Sequence, residues 1–341
     1  MREGAALRFG ADCVNIPQGR TIGRGDAFFR NEWNNMAEFS RNLCRRASAA
    51  LIVFAGFGVQ SSPQAQAAEP PGKRPALYIL NADGTGWRPL SEAEDYWAGS
   101  SPVVSPDGKT VVFDGWRLVE GQKQGEVKLI AIDIDGHNVR EFGEGQSASW
   151  SPDGKFFARS LPGKPASNCI MTADGKEHKP IRAGWAAQWS PDGKRIAFIQ
   201  GAKLMTYEVD SGEFHQVLDG GNPYKQLFWN MAWSPDGTRI CIKGKRPDGS
   251  EELAIIDAAG AEFGFAVRFK AKGFQPDIAW HPRGDRVVFA MNSPESRRSQ
   301  LYQLDPDFDE PPAPVAGQDE SRTNYCPCWT PDGKQLIVIS Q

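Results

Sequence analysis

The chain has 341 residues and a formal net charge of −3, from 39 Lys and Arg against 42 Asp and Glu. Hydrophobic residues make up 40% and charged residues 24%, the composition of an ordinary globular protein. This balance excludes a polybasic nucleic-acid-binding protein and an acidic, solvated tail, so we expect no nucleic acid among the partners. The 36 Gly and 25 Pro predict many turns and few long helices.

The first element along the chain is an apolar run at residues 49–59. The run is too short to span a bilayer, which takes roughly 20 residues, so we expect no transmembrane anchor. Arg41, Arg45 and Arg46 precede it, and a polar stretch that ends in Ala65-Gln66-Ala67 follows. A basic region, a short apolar region and a small-residue cleavage site together predict a secretory signal peptide. We therefore expect cleavage near Ala67 and a periplasmic or secreted protein.

The signal lies far from the first residue, because about 45 residues precede its apolar run. Met36 offers a start that would give the signal a normal length. We interpret residues 1–35 as an over-extended start or a disordered segment, 36–67 as the signal peptide and 68–75 as a linker. A disordered extension ahead of an uncleaved anchor is the alternative. Residues 68–341 carry 31 Lys and Arg against 37 Asp and Glu, a net charge of −6.

Four cysteines follow the signal, namely Cys169, Cys241, Cys326 and Cys328. Four thiols in an exported chain of this length are too few for a disulfide scaffold. The i, i+2 spacing of Cys326 and Cys328 is typical of a strand that points both side chains to one side. Metal binding would need further ligands that the sequence does not place, so we favour buried small residues and expect no metal.

A six-fold repeat organises the chain after residue 75. Each copy contains a Ser-Pro-Asp-Gly sequence or a close variant, preceded in five copies by Trp. The repeat glycines are Gly108, Gly154, Gly193, Gly237, Gly284 and Gly333. Their spacings of 46, 39, 44, 47 and 49 residues, with alternating strand patterns on either side, predict four-stranded blades in a radial array. Pro presets φ, Asp caps the turn and Gly takes the positive φ, so each copy is a tight hairpin between a first and a second strand.

A second repeated element, a third strand that runs into a turn, follows each hairpin. The first of these strands, at Leu77, has no hairpin before it, and the last hairpin, at Trp329, has no third strand after it. We therefore predict an all-β protein, a six-bladed β-propeller of four-stranded antiparallel blades over residues 76–341. Strands within residues 76–90 pair with the hairpin at 325–340 and close the ring, which leaves no free edge between the first and last blades.

The W-S-P-D-G-K hairpin followed by a strand, and then L-Y-x-x-x-x-D-G, resembles the TolB-type family of six-bladed propellers. The resemblance covers residues 76–341 and implies the propeller fold. TolB also carries an α/β domain ahead of its propeller. Only Ala68 to Pro75 lie between the expected signal and the first strand, so we expect that domain to be absent.

Turn lengths distinguish the two faces of the predicted ring. The hairpin turns and most third-to-fourth-strand turns are short and uniform, whereas the second-to-third-strand and blade-to-blade connections vary widely. Irregular loops on a rigid scaffold are where binding usually resides, and aromatic and Arg residues are enriched in recognition surfaces. The candidate binding residues on the variable face are Trp97, Trp185, Tyr224, Trp229, Phe274, Tyr325, Arg246 and Arg298. Packing between blades is the alternative role of each aromatic residue.

No catalytic set is recognisable in the sequence. The four histidines, His137, His178, His215 and His281, fall in or next to turns of different blades on the uniform face. No G-x-S-x-G motif occurs, and the abundant Asp and Glu include no pair that stands out for glycoside chemistry. We therefore expect no catalytic residues and no cofactor.

The leading hypothesis is a monomeric, exported, non-enzymatic propeller that presents its variable loops to a protein or peptide partner, in the cell envelope. The alternative is a lyase or hydrolase that acts on a carbohydrate or lactone at the mouth of the channel. Carboxylates or a histidine converging on the channel would favour that alternative. An oligomerising structural element without a ligand is a third interpretation.

Overall fold

A computed structural model describes residues 75–90, 96–117, 127–163, 165–176, 178–218, 221–271 and 273–341. The interpretations made for residues 1–74 lie outside these ranges. The described residues form antiparallel strands joined by turns and contain no helix. None of the described elements therefore has the form of a membrane-spanning helix.

The strands form six antiparallel sheets, and each sheet is one blade of a propeller. The described part of the chain begins with β1 (Ala76–Asn81) and β2 (Arg88–Pro89), which belong to blade 6. Blade 1 consists of β3 (Tyr96–Val104), β4 (Thr110–Arg117), β5 (Val127–Asp133) and β6 (Arg140–Glu144). Blade 2 consists of β7 (Gln146–Trp150), β8 (Phe156–Leu161), β9 (Ser167–Thr172) and β10 (His178–Ala183). Blade 3 consists of β11 (Trp185–Trp189), β12 (Arg195–Gln200), β13 (Lys203–Glu208) and β14 (Phe214–Gln216).

Blade 4 differs from the others because its inner strand is broken into two pieces that both pair with the second strand. It consists of β15 (Gln226–Leu227), β16 (Ala232–Trp233), β17 (Arg239–Lys245), β18 (Glu251–Asp257) and β19 (Phe265–Ala271). Blade 5 consists of β20 (Phe274–Trp280), β21 (Val287–Asn292), β22 (Ser299–Leu304) and β23 (Ala313–Pro314). The chain ends with β24 (Asn324–Trp329) and β25 (Gln335–Ser340), which complete blade 6.

Blade 6 closes the ring because its strands come from both ends of the propeller sequence. Its strand order is β2-β1-β25-β24, and β1 pairs with β25 along its whole length, with Leu77 opposite Ile339 and Ile79 opposite Ile337. This confirms the predicted closure. Because the sheet is assembled from distant parts of the chain, the first and last blades cannot separate without breaking a complete strand pairing.

The core lies between neighbouring blades. Both faces of each sheet are covered, so the second and third strands are apolar along most of their length rather than alternating with polar residues. In β17, Ile240 and Ile242 pack against blade 3, whereas Cys241, which points the opposite way, packs against blade 5. Each sheet is therefore stabilised by both of its neighbours.

The hairpin turns share the same backbone hydrogen bonds in all six blades, and five of them, all except the blade 5 turn at His281, also share a side-chain hydrogen bond to the turn Asp. In the first, Ser105 Oγ donates to Asp107 Oδ1 at 2.6 Å, and the Lys109 N–H donates to the same oxygen at 3.1 Å. Gly108 has a φ of 74°, which the turn requires. We call the face that carries these turns the hairpin face, and the opposite face, with the second-to-third-strand and blade-to-blade connections, the loop face.

Candidate functional site

The inner strand of each blade brings one residue to the axis of the ring. This residue stands three positions before the hairpin Trp, or before Val104 in blade 1. The six residues are Ser101, Ser147, Ala186, Asn230, Asp277 and Cys326. Five of them, all except Asp277, have φ between 52° and 61°. A residue in this left-handed conformation interrupts the strand ladder and redirects its side chain.

Side chains from non-adjacent blades meet at this level. Asn230 Nδ2 in blade 4 donates to Ser101 Oγ in blade 1 at 2.7 Å, and it also donates to Asp277 Oδ1 in blade 5. The backbone N–H and the hydroxyl of Ser101 each donate to the Asp277 carboxylate at 3.4 Å. Blades 1 and 4 are opposite one another in a six-bladed ring, so these contacts cross the axis. The three side chains form a floor below the loop face.

A second set of polar residues lies behind this floor, six positions after the repeat glycine. In three blades the residue at this position reaches the next blade's axial residue: the Ser147 N–H donates to Asp114 Oδ1 at 2.9 Å, and the Ala186 N–H to Ser160 Oγ at 2.9 Å. Lys243 Nζ donates to the backbone carbonyl of Asp277 at 3.3 Å. The other three blades carry Ile199, Ala290 and Ile339 at this position. The polar residues therefore connect particular pairs of blades.

Burial shifts the pKa values of the titratable groups in this axial cluster. Asp114 is 3% exposed, and its burial raises the pKa to about 8, although Ser100 and Ser147 donate to it; the Asp277 charge raises the pKa further. Burial lowers the pKa of Lys243 to about 8, while the Asp277 charge opposes that shift. At neutral pH Asp114 is therefore mostly protonated, and it shares a nearly dry environment with the Asp277 charge and the Lys243 ammonium group, where interactions between charges are strong.

Two further groups limit the chemistry of the cluster. Burial raises the pKa of the Cys326 thiol well above its usual value, and the neighbouring Asp277 charge adds to this, so the thiol stays protonated at neutral pH. Asn230 Oδ1 is buried, and no group of the described residues donates a hydrogen bond to it. The four cysteines of the described residues are all free.

Tyr224 and Arg246 come together at the loop-face edge of blade 4, around Glu252. The Glu252 carboxylate is fully buried, accepts from Arg246 Nε at 2.7 Å and from the Tyr224 hydroxyl at 3.2 Å, and pairs with Lys270 Nζ at 3.1 Å. Burial opposes ionisation of Glu252, but the hydrogen bonds from Arg246 and Lys270 outweigh burial and lower its pKa. Burial and the Glu252 charge raise the pKa of Tyr224.

The remaining predicted residues are distributed around the ring. Trp185, Phe274 and Tyr325 are buried, and Phe274 packs against Phe289 with ring centroids 5.6 Å apart. Trp229 is half-buried in the break of the blade 4 inner strand, and Arg298 is exposed in the turn before β22. Trp97 belongs to β3, and its side chain lies outside the described part of the structure.

Sequence reasoning missed Asp114, Lys243, Asp277 and Glu252. Alignment of the repeats on their glycines places Asp114, Ser160 and Lys243 at one position, where the other blades carry apolar residues. Polar residues at a position that is otherwise apolar indicate a buried polar cluster. For Glu252 the available signal was the register of the β17–β18 hairpin. This register places Gly244 opposite Glu252 and Lys245 opposite Glu251, so opposite charges stand on the two strands.

Comparison with known proteins gives a likeness of fold. No protein-family model matches the sequence, and no curated protein matches it. A putative TolB from Agrobacterium tumefaciens superposes with a TM-score of 0.60 and 18% identity, over 78% of this chain and 97% of that one. The described chain has the TolB-type propeller fold. TolB from Acinetobacter baumannii gives a TM-score of 0.54 and 15% identity, over 80% of this chain and 65% of that one.

The TolB-type fold extends to proteins of quite different sequence. A nidogen/laminin complex contains a chain that matches with a TM-score of 0.55 and 8% identity, over 78% of this chain and 98% of that one. At such identities the shared feature is the propeller itself, on which different sites are built.

Proposed function

We propose that this protein is an exported, non-enzymatic binding module, a monomer that presents its loop face to a protein or peptide partner in the cell envelope. The observation that carries the proposal is the difference between the two faces. All six turns of the hairpin face share the same two backbone hydrogen bonds, whereas the loop face combines connections of unequal length. A rigid scaffold with variable loops on one side is the arrangement that binding proteins commonly use.

The closed axis supports the same function. Ser101, Asn230 and Asp277 join across the ring, so a ligand that enters from the loop face meets a floor. Contacts must then come from the loops of the loop face. Half-buried Trp229 and Arg246 lie on this face and are residue types that carry much of the energy in protein interfaces. The nidogen/laminin complex shows that a propeller-containing protein can be found in a protein assembly, and this is consistent with the proposal.

Affinity capture from an envelope extract tests the proposal. The wild-type protein is expected to retain a specific protein, and the Trp97→Ala and Trp229→Ala variants are expected to retain less of it. Lys155→Ala, on the hairpin face, is the matched control and should capture as the wild type does. Equal capture by all four proteins would place binding elsewhere and refute the role of the loop face. Size-exclusion chromatography of the purified protein tests the monomer.

The alternative, a lyase or hydrolase that acts on a carbohydrate or lactone, is favoured by one observation. Asp114 and Asp277 converge at the axis, and the pKa of Asp114 is raised to about 8, as in a general acid. Both carboxylates are buried, however, and both accept hydrogen bonds from the protein's own residues. Turnover of oligosaccharides or lactones that Asp114→Asn abolishes would establish this activity and overturn the non-enzymatic proposal.

A further inference from the structure

Four cations line the loop-face edge of blade 4. These side chains are those of Lys225, Lys245, Arg246 and Lys270. The carboxylates that partner them lie underneath: Lys245 pairs with Glu251, whose side chain is 12% exposed, and Arg246 and Lys270 share fully buried Glu252. Lys225 is exposed, and its Nζ donates to the Pro247 carbonyl at 3.4 Å. We call these four residues the blade 4 rim.

The rim presents positive charge outward although the chain as a whole is acidic. The Lys270 side chain is 67% exposed, whereas Glu252 below it has no exposed surface. Asp248, in the turn between β17 and β18, is the one exposed carboxylate among the described residues of this edge, and it accepts hydrogen bonds from Ser250. A ligand that approaches the edge therefore meets ammonium and guanidinium groups first.

The geometry of the blade fixes the positions of these cations. Lys225 precedes Gln226 of β15, which pairs with Lys245 of β17. On the other side of β17, Gly244 pairs with Glu252 of β18, and Glu252 pairs with Lys270 of β19. Lys225 and Lys270 are thus three strand spacings apart, about 14 Å at about 4.8 Å per spacing. An extended peptide covers this distance with about four residues. Buried Glu252 holds Arg246 and Lys270 in place, which reduces the conformational entropy that a ligand must remove.

We propose that the blade 4 rim binds an acidic peptide segment of the partner, in extended conformation across the blade edge. This inference rests on the proposed function and adds the chemistry of the partner. Half-buried Phe228 and Trp229 follow β15, whose Gln226 pairs with Lys245, and add apolar side chains to the inner strand of the same blade. Carboxylates at alternate positions of the segment would face the cations, since alternate side chains of an extended chain point the same way.

Fluorescence anisotropy with a fluorescein-labelled peptide of alternating glutamate and glycine tests the inference. The purified full chain is expected to bind this peptide, less tightly as salt concentration rises, and to bind the matched glutamine peptide much less. The double variant Lys225→Glu/Lys270→Glu should weaken binding about tenfold or more, because it replaces two attractive charges with two that repel the glutamates. Lys155→Glu/Lys334→Glu, at equally exposed positions of the hairpin face, changes the net charge by the same amount and should change affinity less than about twofold.

The outcomes separate the inference from the proposed function. Equal affinity of the rim and control variants, or equal binding of the glutamate and glutamine peptides, would refute the acidic-peptide site. If the rim variant captures the envelope partner as well as the wild type does, while Trp229→Ala does not, the binding module stands and its acidic chemistry is wrong. Thermal unfolding of both double variants confirms that the substitutions leave the propeller folded.

Discussion

Replacement of Asp114 by Asn should change how the stability of the propeller depends on pH. The pKa of Asp114 is about 8 in the folded protein, against an ordinary value of 3.8. Between pH 5 and 7 the folded state therefore holds a proton on Asp114 that the unfolded state releases. Each pH unit in this range lowers the free energy of unfolding by about 1.4 kcal/mol through this one group. Its stabilising contribution is complete only below the unfolded pKa, and it is lost as pH rises toward 8.

Asn is a suitable replacement because it resembles the protonated acid. Its Oδ1 can accept from the Ser147 N–H as the carboxyl does, and its amide can donate to Ser100 Oγ, as a carboxylic O–H would. We therefore expect the stability of Asp114→Asn, relative to wild type, to improve by about 2.7 kcal/mol from pH 5 to pH 7. The absolute difference at either pH also includes any loss in packing, but this loss does not depend on pH.

Urea unfolding followed by Trp fluorescence at pH 5, 6 and 7 measures this difference. Asp210→Asn, an exposed position in the turn after β13, is the control and should track the wild type at every pH. Parallel stability curves for wild type and Asp114→Asn would show that Asp114 is ionised in the folded protein. In that case, the axial cluster would carry two negative charges beside Lys243, and Asp114 would not be the protonated acid that its raised pKa indicates.

Three further substitutions test the packing of the ring. His281 Nε2 lies 3.1 Å from the Gly333 carbonyl in the next blade, and burial lowers the pKa of His281. The contribution of His281 to the free energy of unfolding is therefore complete above pH 6.5 and is lost at lower pH. The destabilisation caused by His281→Ser should shrink from pH 7 to pH 5. Gly244→Ala should cost about 1–3 kcal/mol, because the new Cβ would lie 2.4 Å from the Tyr224 ring. Ile79→Ala, in the strand that closes blade 6, should cost about 2–5 kcal/mol.

Urea denaturation measures each of these effects. Gly221→Ala is the control for Gly244→Ala, because its added Cβ has no atom within 4 Å among the described residues other than its chain neighbours, and it should leave stability nearly unchanged. A cost that does not vary with pH would contradict the neutral state of His281. A loss of less than about 1 kcal/mol at Ile79 would mean that the closing strand contributes little to the cooperative unit.

The ring could be predicted from the sequence because its repeat is local. Each Pro-Asp-Gly turn specifies a hairpin by short-range sterics, and the unmatched strand at Leu77 and unmatched hairpin at Trp329 leave one way to complete the sixth blade. The pairing of Ile79 with Ile337 follows directly from that count. The hairpin Trp residues are largely buried, and Arg195 lies over the Trp233 ring of the next blade at 4.9 Å.

The axial floor could not be predicted from strand patterns in the same way. Alternation indicates which side of a sheet a residue faces, but the left-handed residues at Ser101 and Asn230 leave the ladder. Their contacts with Asp277 join blades separated by 47 to 176 positions in sequence, and only the closed ring brings them together. The aromatic candidates posed a different problem, because a residue at the end of an inner strand can face either the loop face or the neighbouring blade.

The floor and the rim have different consequences for binding. Asp277 and Asp114 are buried, and a ligand that enters from the loop face could reach Asp277 only by displacing the Asn230 and Ser101 hydrogen bonds that cross the ring. Such displacement would expose one buried acceptor for each bond broken, at a cost of about 1–3 kcal/mol each. The blade 4 rim requires no such rearrangement, because its cations already face solvent above their buried carboxylates. A partner that gains affinity through charge should therefore act first at the rim, and the axial cluster should serve mainly to hold the opposite blades in register beneath it.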